Sequence, residues 1–170
     1  MFSKGIKSNE SRDVQSVAIT ALCKLLLMNV IEDEDLLKQA VVLFFDPTTS
    51  DNTGMRQALS YSIPVYCFSK RENMERMARV AGNVIHAVVD IGQEVGDEEE
   101  VVGLSKVSNV LAEWTDARKL VIPDGSATSW SEETERGARQ VNSDPHLTLA
   151  ETVLEKVLHH SCSSRFIVKT

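Results

Sequence analysis

Apolar residues recur along this chain at helical spacing in six separate stretches, and nowhere with the period of two that a half-buried strand requires. The first stretch covers residues 12–28. There Val17, Ala18, Ala21, Leu22 and Leu25 form the expected buried stripe, with Arg12, Gln15 and Lys24 off it. Asn29 closes this helix. Acidic residues 32–35 then place negative charge on the first turn of a second helix, which ends at Phe45 ahead of Asp46 and Pro47. Residues 48–54 lack an apolar period and read as a loop. A third helix over residues 55–68 contains Pro64, which removes an amide hydrogen and crowds the carbonyl one turn earlier, predicting a kink at residues 60–64.

Ser69, with Glu72 three residues later, has the form of a capping box opening a fourth helix. Its stripe is Met74, Met77, Ala78, Ala81, Ile85 and Val88, its end lies near residue 91, and Gly82 is a tolerated weak point. Residues 92–103 read as an acidic loop. A fifth helix over residues 104–120 carries Val107, Val110, Leu111, Trp114 and Ala117 on one side. From residue 121 to 144 the period fails, since Pro123, Gly125 and a run of Ser and Thr surround Trp130, which predicts a flexible linker. Asp144 as N-cap and Pro145 at the first position open a C-terminal helix over residues 145–160, with Leu147, Ala150, Val153, Leu154, Val157 and Leu158 as its stripe. Residues 161–170 remain as a polar tail.

These stretches predict an all-α fold in which residues 12–120 form one domain. Its form is a short α-solenoid of HEAT-type antiparallel helix pairs, about six helices in all. Helix starts near residues 12, 55 and 104 are about 43 and about 49 residues apart, against roughly 40–47 for HEAT-type pairs. The helices at 12–28 and 34–45 should pack antiparallel across their short turn. A compact six-helix bundle produces almost the same pattern, so periodicity leaves both arrangements open.

Charge and cysteine content exclude several function classes. Residues 1–80 are neutral overall and residues 81–170 carry the whole net charge of −7, which argues against autonomous binding to a phosphate backbone. Three widely spaced cysteines, Cys23, Cys67 and Cys162, with no signal peptide, argue against a secreted disulfide framework and predict a reducing compartment. No apolar run approaches the ~20 residues that span a bilayer, so no membrane partner is expected. Phosphate-binding glycine loops, paired zinc spacings and nucleophile elbows are also missing, which predicts a chain that is not an enzyme and holds no cofactor. His159, His160 and Cys162 lack the paired spacing of a zinc site, His86 reads as a boundary histidine, and Cys23 and Cys67 as core thiols. Lys70 and Arg71, with Arg76 and Arg79 along the same helix, make the one compact basic group of the neutral half. A solvated helix start is the commoner reading of such charges and a DNA phosphate contact is the alternative, four contacts giving a salt slope of at most about 4.

Residues 13–27, followed by Leu43-Phe44-Phe45-Asp46-Pro47, resemble a late HEAT repeat of the G-type subunit of condensin. More specific is the run from Met55 to Ser69. Its arginine-led first turn and its Ile63-Pro64-Val65-Tyr66 core are similar to the kinked helix of that family. The resemblance covers residues 13–89, fades over 104–120 and does not reach residues 121–170. It implies a segment of a curved HEAT solenoid that grips the kleisin subunit, joins other condensin subunits and, in the assembled complex, binds double-stranded DNA during chromosome condensation. The nucleus and the chromosome are the implied location. Family members hold many more repeats than the two or three that fit here, so a fragment, a truncated product or a single-domain relative is expected. A HEAT or armadillo-like adaptor unrelated to chromosomes is the alternative, and the Met55 to Ser69 motif favours the first.

Overall fold

The computed structural model describes residues 12–95, 103–121 and 144–166, with side chains as far as residue 92 in the first stretch and residue 158 in the last. Among these residues six α-helices follow one another: α1 (Arg12–Leu27), α2 (Glu34–Phe45), α3 (Thr53–Ser69), α4 (Arg71–Val95), α5 (Leu104–Trp114) and α6 (Pro145–Phe166). Short 3-10 turns occupy Pro47–Thr49 and Ala117–Lys119. No strand occurs among the described residues.

Local chemistry sets the helix ends. Asn29 takes a left-handed conformation, φ 52°, and its amide donates to the Leu26 carbonyl while that of Val30 donates to Leu25, so α1 closes as the sequence indicates. Asp33 caps α2, accepting from the amides of Asp35 and Leu36. Asn52 caps α3 through the Met55 amide, and its Nδ2 donates to the Gln15 side chain and the Arg12 carbonyl, so one residue ties together the starts of α1 and α3. Asp144 and Pro145 open α6 as expected, with the Asp144 carboxylate accepting from the His146 amide.

Several expected boundaries move, among them the start of α3, which lies at Thr53 and not at residue 55. The capping box fails: Ser69 is the last residue of α3, its hydroxyl donates to the Tyr66 carbonyl, and the extended Lys70 alone separates α3 from α4. The fifth helix stops at Trp114, because the Asp116 carboxylate accepts from the Arg118 amide and winds residues 117–119 into a separate turn. In turn α4 runs on to Val95 and α6 to Phe166. The proposed linker at 121–144 and the core of the acidic loop lie outside the described residues apart from their edges. Pro64 sits inside an unbroken α3.

Which helices touch separates the two arrangements that periodicity leaves open. The closest packing is α4 on α6, then α1 on α3 and α2 on α4, with α3 on α5 more loosely. Each helix therefore stacks on the one two places along, giving one layer of α1, α3 and α5 and another of α2, α4 and α6. Such stacking is that of a solenoid and not of a bundle sharing one axis. The gap between layers is closed where α3 meets α4, α4 meets α5 and α2 meets α3, whereas the expected packing of α1 on α2 is at most slight: Cys23 and Leu26 of α1, Leu37 and Ala40 of α2 and Ile63 and Tyr66 of α3 surround a void of about 10 Å³, room for one water at most.

Two stripes are rotated from their expected positions. In α1 the buried residues are Gln15, Ile19, Leu22, Cys23 and Leu26, and Val14 and Val17 face solvent. In α6 the packed side carries Pro145, Leu149, Thr152 and Val153, while Leu147, Leu154, Val157 and Leu158 are exposed. Both helices are apolar on two sides, and a pattern that counts apolar residues cannot tell which side the neighbour takes. The stripe of α4 is as expected, widened by Val80 and Val84 because it lies between α2 and α6.

Candidate functional site

The four cations of the basic group do different things. Lys70 is exposed, in extended backbone between α3 and α4, and makes no ion pair among the described residues. One residue on, Arg71 pairs with Glu75 at 3.0 Å on the same helix. Arg76 is buried: it donates to the Tyr66 hydroxyl at 2.7 Å and to Asn73 at 3.4 Å, and meets Glu32 at 3.1 Å. Burial disfavours its charge, and the Tyr66 hydroxyl with the Glu32 and Glu34 carboxylates outweighs that, so its pKa moves upward. Burial also pushes the Tyr66 hydroxyl up, opposed by Arg76. Arg79 pairs with Glu34 at 2.8 Å.

Arg76 and Arg79 thus face the acidic turn that opens α2, and the two charge runs hold the second layer together. Two cations of a group read in the sequence as a solvated helix start are therefore partners of acids at the start of α2. Of the basic group, Lys70 and Arg71 remain at the surface beside the α3–α4 junction. The same corner holds two cations that sequence reading missed. The Val121 amide donates to the Phe68 carbonyl, and Lys119 Nζ lies 5.7 Å from the Phe68 ring centre. Arg118 grips Asp116 through two hydrogen bonds of 2.7 and 2.8 Å, which hold that carboxyl well below its usual range. Lys119 meets Glu113 at 2.6 Å. Acids therefore offset most of this basic corner.

The signature run in α3 has a structural meaning. Arg56 donates to the Phe44 carbonyl in the last turn of α2 and to that of Asp46, the residue after it, which also accepts from the Thr49 hydroxyl, and its guanidinium lies 5.8 Å from the Phe44 ring centre. Phe44 and Phe45 in turn meet Trp114 of α5, with ring centres 5.5 and 6.1 Å away.

Nothing convergent enough for chemistry emerges. Among the described residues no group of three His, Cys, Asp or Glu side chains is placed to hold a metal, and no helix is long and apolar enough to cross a membrane. Cys23 and Cys67 are buried, and burial pushes both thiols upward. His86, at the boundary, pairs with Asp90 at 2.8 Å. The side chains of His159, His160 and Cys162 lie outside the described residues. An apolar groove of about 440 Å³ lies between α4, α5 and α6, lined by Ile85, Leu111, Leu149 and Val153, with His146 and Leu154 at its margin. His146 Nε2 lies 3.0 Å from the Ala112 carbonyl and joins α6 to α5 beside it.

Stacked layers, charge pairs that join α4 to the start of α2 within one layer, and a groove without a cluster of reactive groups among the described residues define a HEAT-type α-solenoid segment. A family model described as nuclear condensing complex subunits, C-term domain, matches residues 1–170, and the chain belongs to that family. The match includes residues 121–170, which the motif resemblance did not reach. Condensin complex subunit 3 of Saccharomyces cerevisiae is 33% identical over 133 residues, covering 74% of this chain and 13% of that protein. Its counterpart in Schizosaccharomyces pombe is 27% identical over 150 residues, covering 87% and 16%. The crystal structure of the S. pombe condensin Cnd3–Cnd2 subcomplex superposes with a TM-score of 0.75 at 25% identity, over 93% of this chain and 19% of that one. The chain therefore spans about a seventh of the length of these curated relatives.

Proposed function

We propose that the chain is a non-catalytic scaffold segment of a condensin-type complex, acting at chromosomes in the nucleus by holding the kleisin subunit. The observation that carries this reading is the two-layer stack, whose end helices α1 and α6 each keep an apolar side uncovered. Such a segment offers surface to neighbours, and among the described residues no group of His, Cys, Asp or Glu is placed to hold a metal. The similarity to a subunit 3 chain solved together with Cnd2 supports a partner of the same kind here. Co-purification of the full chain with the cognate kleisin subunit tests it. A stable equimolar complex is expected, and failure to associate at micromolar concentration would remove the reading.

DNA contact is secondary and belongs to the assembled complex. Arg76 is buried and Arg79 is held by Glu34 of another element, whereas Arg71 pairs with Glu75 on its own helix and Lys70 has no ion pair among the described residues, so Lys70 and Arg71 are the residues of the basic group we assign to phosphate. Two contacts correspond to a salt slope of about 1.8. Lys70→Glu with Arg71→Glu should leave the already weak duplex binding of the lone chain unaltered and lower both affinity and salt slope of the kleisin complex. Equal affinity in the complex would return both residues to ordinary solvated surface.

A further inference from the structure

One side of α6 is organised in three parallel strips. Toward α5 lie His146, Ala150 and Val153, at the edge of the apolar groove. Next come Leu147, Leu154 and Leu158, spaced i, i+7 and i+11 along the helix, with 62%, 60% and 67% of their surface exposed. That ridge extends for roughly 16 Å at the α-helical rise. Beyond it, one position round the helix, lie Glu151 and Glu155, both exposed and without an ion pair among the described residues. Groove, leucine ridge and acidic edge run side by side along one helix.

We infer that this surface is a docking site for an amphipathic, basic α-helix of a partner polypeptide. Its apolar face fills the groove over Ile85, Leu111 and Val153 and covers the leucine ridge. Its flanking Lys or Arg residues meet Glu151 and Glu155. Charge decides among occupants: carboxylates with no ion pair among the described residues repel a phosphate backbone and an anionic bilayer alike, and they attract a cationic peptide. Shape decides the conformation, because the groove lies between helices and no strand edge is described for an extended peptide to join. Leucines spaced along a ridge match apolar residues at i, i+3, i+4 and i+7 of the incoming helix. This assignment rests on the scaffold reading and gives one of its partner surfaces a definite chemistry.

The probe is a fluorescein-labelled helical peptide of about 20 residues with Leu at i, i+3, i+4 and i+7 and Lys on the flanking positions, long enough to span the ridge. Titration of the full chain, followed by anisotropy, should show saturable binding to this peptide and not to the same peptide with Glu in place of Lys. Leu154→Asp with Leu158→Asp changes exposed positions, so circular dichroism should be unaltered while affinity falls at least about tenfold. Glu151→Lys with Glu155→Lys should reverse the preference toward the acidic peptide. Equal binding of both peptides, or affinity indifferent to the leucine substitutions, would overturn the proposal. So would a concentration-dependent dimer, seen by sedimentation, that buries these leucines against a second copy. Kleisin association by the unaltered chain together with no binding of the basic peptide removes this site and leaves the scaffold reading standing. Peptide binding as described, with no kleisin association, does the reverse.

Discussion

Arg76 joins three elements through one side chain, since its guanidinium meets Glu32 before α2, Tyr66 in α3 and Asn73 in α4. Tyr66 is itself buried, so truncating the arginine leaves a phenol hydroxyl without its donor in a low-dielectric site. Arg76→Ala should destabilise the fold by about 1–3 kcal/mol in urea unfolding. Combined with Tyr66→Phe, a double-mutant cycle should give a coupling of about 0.5–3 kcal/mol. A coupling near zero would mean that the hydroxyl contact contributes nothing beyond packing. The thiols make a second residue-scale prediction. Desolvation holds Cys67 protonated far above its ordinary range, so peptide-mapped maleimide labelling at pH 8 should mark Cys23 and Cys67 only after unfolding. Because the folded pKa is raised, the stability linked to this thiol is full below the unfolded value of about 8.5 and is lost as pH rises above it.

At the scale of elements, the α4–α6 contact depends on a missing side chain. A Cβ added at Gly82 would lie 2.5 Å from the Thr152 carbonyl oxygen and 2.8 Å from its carbon, both backbone atoms with little freedom to give way. The Thr152 hydroxyl also reaches the Ala78 carbonyl, so α6 rests on α4 almost backbone to backbone. Sequence reading treated Gly82 as a weak point in a helix. The weakness is real for an isolated helix, and close approach of the neighbour outweighs it here. Gly82→Ala should lower stability by about 1–3 kcal/mol through overpacking and speed hydrogen exchange over residues 147–158. Asn83→Ala, one exposed position along, should change neither. A gain in stability at Gly82→Ala would show that helix propensity outweighs the contact.

At the scale of the whole molecule, the stack is quasi-one-dimensional and its stability is unevenly spread. The long helix α4 has α2 on one side, α6 on the other and α3 and α5 across the layers, whereas α1 and α6 sit at the ends with an apolar side uncovered. Native-state hydrogen exchange should therefore be slowest at residues 74–88 and reach the ends first, with α1 and α6 opening at lower free energy than the global transition. Uniform protection across all six helices would indicate a single cooperative bundle instead.

Composition and period alone determined that this chain is helical, because side chains three and four apart share a face whatever the neighbour is. They also placed Asn29, Asp33, Asp144 and Pro145 at or beside helix ends, where side chain and backbone interact within a few residues. The motif in α3 marked the family, and Arg56 was legible there as a signature without its reason, the Phe44 carbonyl at the end of α2, being visible. Tertiary structure decided the rest. It settled solenoid against bundle, since stacking two places along the chain leaves no trace in the period of any one helix. It chose which of two apolar sides α1 and α6 bury, and ended α5 at Trp114. It also turned Arg76 and Arg79 from a candidate basic patch into partners of Glu32 and Glu34. Charges 44 and 45 residues apart meet only when α2 and α4 are laid side by side, and a local pattern carries no information about that meeting.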